Sequence, residues 1–223
     1  MMYLIFYLRY STLYLISGFF LLLMLGISTS SIAANTVFFN EIHYDNAGAD
    51  SNEGVEIGGP SGLDLTGWQL LLYNGNGGNL YGSYELAGTI PDLYAGFGLL
   101  SFATPGLQNG PDGFAIVNNL NEVIQFLSYE GMFTATEGAA NGLSSEQIGV
   151  EEDTSTAVSD SLSLVGNGRF YEDFHWYGPQ IQSFGAINVG QIITPSAVPL
   201  PAALPLFLSG IAGFGALVRR RTV

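Results

Sequence analysis

Val37-Phe38-Phe39-Asn40-Glu41-Ile42-His43-Tyr44 is a run of aromatic and branched residues interrupted by polar ones at short intervals. That composition suits a half-buried strand better than a helix. The same kind of run recurs at residues 55–57, 68–73, 80–86, 98–102, 113–118, 123–129, 162–165 and 173–176, so these and 37–44 are the expected strands. Between them stand Gly58-Gly59-Pro60-Ser61-Gly62, Asn74-Gly75-Asn76-Gly77-Gly78, Asn109-Gly110-Pro111-Asp112-Gly113 and Asn118-Asn119-Leu120-Asn121. Gly, Asn and Pro supply the backbone conformations that tight turns need. Many short strands with regular turns and no long amphipathic helix predict an all-β fold, a sandwich or barrel. Residues 134–161 are poor in strand signals and rich in Gly, Ser, Thr and Glu, and read as a long surface excursion.

The 223-residue chain has no cysteine and no lysine. Disulfide frameworks, thiolate metal sites, thiol nucleophiles and Schiff-base chemistry are therefore excluded. Charge is unevenly spread. Arg9 lies near the start, Arg219, Arg220 and Arg221 near the end, and the stretch from residue 35 to 198 carries all 19 acids against Arg169 alone, a net −18. Such a surface repels phosphate backbones, so nucleic acid is not an expected partner.

The two ends read as targeting segments. Residues 1–34 combine Arg9, an apolar run over about 13–27, and the small residues Ser31 and Ala33 before a cut after Ala33 or Ala34, the layout of a signal peptide. At the other end, residues 193–202 form a linker that closes on Val198-Pro199-Leu200-Pro201-Ala202. An uncharged apolar stretch, 203–218, follows, and then the arginine cluster Arg219-Arg220-Arg221. The arginines mark a cytoplasmic stop, which leaves the preceding domain facing outward. Motif, short transmembrane helix and basic stop together resemble a PEP-CTERM sorting signal of the Val-Pro-Leu-Pro-Ala type. The resemblance implies an exosortase-type membrane protease as partner, transient membrane anchoring, and delivery to the surface or extracellular matrix of a Gram-negative bacterium.

A second resemblance covers residues 35–192. Val37-Phe38-Phe39-Asn40-Glu41-Ile42-His43-Tyr44-Asp45, Glu53-Gly54-Val55-Glu56-Ile57 and Leu63-Asp64-Leu65-Thr66-Gly67-Trp68-Gln69-Leu70 are similar to the opening of a lamin-tail domain. Further likeness to the bacterial branch lies in Tyr73-Asn74-Gly75-Asn76-Gly77-Gly78, Gln125-Phe126-Leu127-Ser128-Tyr129-Glu130-Gly131 and Gly185-Ala186-Ile187-Asn188-Val189-Gly190-Gln191. The resemblance implies an immunoglobulin-like β-sandwich, often an accessory module beside a secreted nuclease or phosphatase. Here the chain passes straight to the sorting tail, so that enzymatic association does not carry over.

The densest chemistry lies in the acidic loop that opens at Asp45. It reads either as a solvated surface or as a Ca²⁺ site formed by Asp45, Asp50, Glu53 and Glu56 with Asn46 and Asn52 nearby, since calcium takes six to eight hard oxygens. The spacing is not that of an EF-hand. His43 and His175 read as partly exposed strand residues. Trp68 belongs to the core, whereas Tyr73, Tyr81, Tyr84 and Tyr94 are assigned to an exposed face. Arg169 is expected to pair with Glu172 or Asp173. The glycine-rich 74–79 loop lacks the Lys-Ser or Lys-Thr of a phosphate loop and reads as a hairpin. No Gly-x-Ser-x-Gly elbow occurs.

The expected function is that of a non-catalytic, exported adhesion or binding module whose ligands are proteins or polysaccharides. The alternatives are a divalent-metal hydrolase using the Asp45–Glu56 loop with His43, or an accessory subunit of a separately encoded nuclease.

Overall fold

In the computed structural model, residues 36–195 are described; the signal segment, Val198–Ala202, the apolar stretch and Arg219–Arg221 lie outside them. Among the described residues, eleven strands form two sheets. The first contains β1 (Phe38–His43), β2 (Gly54–Pro60), β5 (Phe97–Ala103), β9 (Asp160–Gly168), β10 (Phe174–Ile181) and β11 (Gln191–Ile193). Its order is β10-β9-β1-β2-β5, and β11 runs parallel to residues 166–168 of β9, past residues 162–163 that pair with β1. The second contains β3 (Trp68–Asn74), β4 (Leu80–Leu86), β6 (Asp112–Val117), β7 (Val123–Tyr129) and β8 (Glu146–Gln147), in the order β4-β3-β6-β7-β8.

The core follows from alternation. Val55 and Ile57 on β2, Leu70 and Leu72 on β3, Phe114 and Ile116 on β6, and Leu162 and Leu164 on β9 point between the sheets. Trp68 and Trp176 join them, as expected for Trp68. Phe39 meets Phe114 edge-on at 4.5 Å between centroids, and Tyr44 stacks on Tyr129 at 3.9 Å, so aromatic pairs seam the layers.

The central strands are covered on their outer faces as well, so β1 is buried along its whole length and β3 reads as a nearly continuous apolar run. The expected surface excursion is in fact part of the packing. Residues 133–140 lie over the second sheet, where Ala135 and Ala140 close on Leu71, Tyr73, Ala115, Val117 and Phe126. Tyr73 is therefore fully buried rather than on an exposed face, its hydroxyl accepting the Ala140 amide at 3.2 Å. Tyr94 does lie exposed. The 74–79 loop is the β3–β4 hairpin, with Gly77 and Gly78 at positive φ. A Cβ on Gly78 would come within 2.2 Å of the Thr134 carbonyl, so this glycine also lets the covering segment dock.

Arg169 differs from expectation. Its guanidinium donates to the carbonyls of Ala95, Gly96 and Thr194 and lies 5.8 Å from the Phe97 ring centre, while Asp173 accepts the backbone amides of Arg169 and Phe170. The arginine ties the turn before β5 to the chain just after β11.

Candidate functional site

Over β1, β2 and the first half of β9 the outer face of the first sheet is polar and buried. Glu41 and Glu56 are register partners on β1 and β2, and neither is exposed. Glu41 accepts Ser161 Oγ at 2.5 Å and the Ser183 amide at 2.7 Å. Glu56 accepts Asn40 Nδ2 and Ser101 Oγ, each at 2.9 Å, and the Gly185 amide. The two carboxylates thus hold residues 183–185 down on the sheet. Asn188 and Gln191 complete the cover by donating to the carbonyl and side-chain oxygens of Asn40. Burial pushes both carboxyls up, Glu56 to about 7; donated hydrogen bonds pull back only part of that shift.

At the end of β1 a second cluster forms around Glu152. This residue was hidden in the acidic run Glu151-Glu152-Asp153, and the structure buries it. Its Oε1 lies 2.8 Å from His43 Nδ1, and its Oε2 accepts the amides of Tyr44 at 2.6 Å and Asp45 at 3.0 Å. Its own amide donates to the Tyr44 hydroxyl at 2.8 Å, which donates on to Glu130 Oε1 at 3.0 Å.

His43 is fully buried rather than partly exposed. Its other nitrogen, Nε2, faces Asn46 Oδ1 at 3.3 Å and the Ser51 carbonyl at 3.1 Å. Every partner of the ring is an acceptor, so the surroundings favour a proton on both nitrogens, the imidazolium form. Burial alone would lower its pKa, but the Glu152 contact outweighs that and raises it. An imidazolium so held has no lone pair for a metal or a substrate proton, which weighs against its use as ligand or general base. His175 lies exposed on β10, away from this cluster.

The structure divides the four expected calcium ligands. Asp45 is buried and lies against Asp50 on the exposed 47–52 loop. Glu53 Oε2 instead accepts the Gly106 amide at 2.7 Å, and Glu56 belongs to the network under residues 183–185. Among the described residues, no three His, Asp or Glu side chains are grouped to hold one ion.

A third feature had no sequence signal. Between β7–β8 and β10 lies an open cleft of about 560 Å³, whose lining includes Gln125, Glu146, Gln147, Tyr171, His175 and Trp176. Gln125 reaches across the core: its Oε1 accepts the Phe39 amide at 2.8 Å, next to the β1 bulge. Its Nε2 is buried without a hydrogen-bond partner.

No family model, curated protein or solved structure matches this chain.

Proposed function

We propose that this chain is a non-catalytic, exported surface module, an immunoglobulin-like sandwich of the lamin-tail kind. In this reading the N-terminal signal takes it across the inner membrane, and residues 203–218 with Arg219–Arg221 hold it there. An exosortase-type protease then acts at Val198–Ala202 and releases it to the cell surface or matrix. Its task is adhesion. The observation that supports binding most directly is the cleft between the two sheet edges, with the exposed Glu146, Gln147 and His175 in its lining.

A cleft that mixes aromatic rings, carboxylates and amides suits a hydroxylated, uncharged polymer, because hydroxyls both donate to Glu146 and accept from Gln147. A polyanion would meet a net −18 surface. The favoured ligand is therefore a neutral polysaccharide. The buried carboxylates support a non-catalytic reading, since Glu41, Glu56 and Glu152 are occupied in holding backbone amides.

The test uses the full chain, expressed with its exosortase-type partner in a Gram-negative host. Surface exposure is read by protease accessibility, and adhesion by retention of the cells on dextran and cellulose. The expectation is release that depends on Pro199 and Pro201, and retention that falls at least tenfold in Glu146→Ala and His175→Ala. Intracellular residence of the intact chain would overturn the export reading. Equal retention of wild type and both variants would overturn the cleft.

A further inference from the structure

Asp45 closes β1 in an unusual setting. It is only 5% exposed, and its Oδ1 has no hydrogen-bond partner. The loop that follows is wrapped around the Asn46 side chain. Asn46 Oδ1 accepts the Ser51 amide at 3.0 Å, and its Nδ2 donates to the carbonyls of Ala47 at 3.2 Å and Ala49 at 3.1 Å. The Asn46 amide points to Asp50 Oδ1 at 3.4 Å, and the Ala47 amide donates to the Thr156 carbonyl at 2.8 Å. This folding lays the Asp50 carboxyl against that of Asp45, while Glu152 and Glu130 add negative charge from the 150–153 segment and the end of β7.

No described side chain is placed to neutralise the pair. The chain has no lysine. Arg169 is occupied by three carbonyls far along the sheet, and the His43 imidazolium is directed at Glu152, Asn46 and Ser51. Two carboxylates in contact require a shared proton or a cation between them. A cation between them would answer the repulsion and supply the partner that Asp45 Oδ1 lacks.

We propose that Asp45 and Asp50 bind a calcium ion through Asp45 Oδ1 and the Asp50 carboxylate, with carbonyl oxygens and water completing the shell and Glu130 facing it from outside. Glu53 and Glu56 take no part, since their oxygens hold Gly106 and the 183–185 segment. The donor set is all oxygen on an irregular loop, which selects calcium over zinc or copper, and over magnesium with its strict octahedron. With only two carboxylates within reach, binding falls in the weak range of extracellular modules, Kd of about 10⁻⁴–10⁻³ M. The inference stands on this loop alone and holds whether or not the chain is exported.

The experiment uses the full chain in detergent micelles, stripped with EDTA and then titrated with CaCl₂ while the unfolding midpoint is followed. Tyrosine-sensitised Tb³⁺ emission and its displacement by calcium provide a second readout. The expected result is a midpoint that climbs with calcium across about 0.1–10 mM, and a saturable Tb³⁺ signal. Asp45→Asn removes the repulsion, so this variant unfolds no lower than wild type without calcium yet loses the calcium response. Asp50→Asn loses the response as well, and Glu53→Gln keeps it. A wild type indifferent to calcium would overturn the site. So would a response retained in Asp45→Asn, which would mean diffuse binding to the acidic surface.

Discussion

Glu152 Oε1 meets His43 Nδ1 at 2.8 Å across 109 residues of chain, and both side chains are fully buried. The pair clamps the segment before β9 over the end of β1, with Glu152 Oε2 left for the amides of Tyr44 and Asp45. Removing the carboxylate by Glu152→Ala strands a buried imidazolium and two amides, and is expected to cost about 3–5 kcal/mol in urea unfolding. Glu152→Gln is milder: its carbonyl can serve both amides while its NH₂ donates to a neutral His43. The raised His43 pKa contributes stability below pH 6.5 that is lost as pH rises through the folded-state value. The cost of Glu152→Gln should therefore be larger at pH 6 than at pH 9, and NMR titration should show the His43 pKa falling. A cost independent of pH would mean that His43 is neutral in the native state.

The buried carboxylates give a second pH dependence of the same sign. Glu56 titrates near 7 when folded against 4.5 when unfolded. The folded state therefore binds the extra proton, and stability is greatest below the unfolded value and declines as pH rises from about 4.5 to 7. At 1.36 kcal/mol per unit, that one residue accounts for a loss on the order of 3 kcal/mol. Asp112, raised to about 6 by burial, adds to the trend. Denaturant midpoints should fall between pH 5 and pH 8, and Glu56→Gln should flatten the decline even if it lowers stability overall. An unchanged slope in Glu56→Gln would assign the dependence to other groups.

The strands were legible because short runs of aromatic and branched residues stand between Gly-, Asn- and Pro-rich turns, as in β4, whose expected and observed limits coincide at Leu80–Leu86. β8 and β11 were not, since two or three residues carry no period. The misplacement of Tyr73 and His43 has one cause. Both stand on outer faces covered by segments whose Gly, Ser and Glu content reads as solvent-exposed, and cover of this kind depends on partners such as Ala140 and Glu152 far away in the chain. At the candidate ion site, Asp45 and Asp50 were identifiable from their spacing. The exclusion of Glu53 and Glu56 was not, because it follows from hydrogen bonds to Gly106 and Gly185 that only the tertiary fold creates.

Gly78 offers a test of the cover over the second sheet. It combines φ of 75° with a Cβ position 2.2 Å from the Thr134 carbonyl. Gly78→Ala must therefore strain the hairpin and lift residues 134–136 together, which breaks the 2.8 Å bond from the Thr136 amide to the Gly78 carbonyl. The expected loss is about 1–3 kcal/mol. Hydrogen exchange at Thr136 and Ala140 should accelerate before exchange in β6. Uniform acceleration throughout the sheet would show that the cover does not open separately.

Tyr44 joins the hydrophobic seam to the acidic clamp, and the two roles can be separated. Its ring stacks on Tyr129 at 3.9 Å, while its hydroxyl accepts the Glu152 amide and donates to Glu130. Tyr44→Phe keeps the stack but leaves the buried Glu152 amide without its acceptor, at a cost of about 1–3 kcal/mol. Tyr44→Ala removes the stack as well and opens a cavity between the sheets, so its cost should rise to about 3–5 kcal/mol. Combining Tyr44→Phe with Glu152→Ala should cost less than the sum of the single changes, because each disturbs the same junction. Strict additivity in that double-mutant cycle would show that the hydroxyl and the carboxylate act independently, and that the clamp is held by its backbone bonds alone.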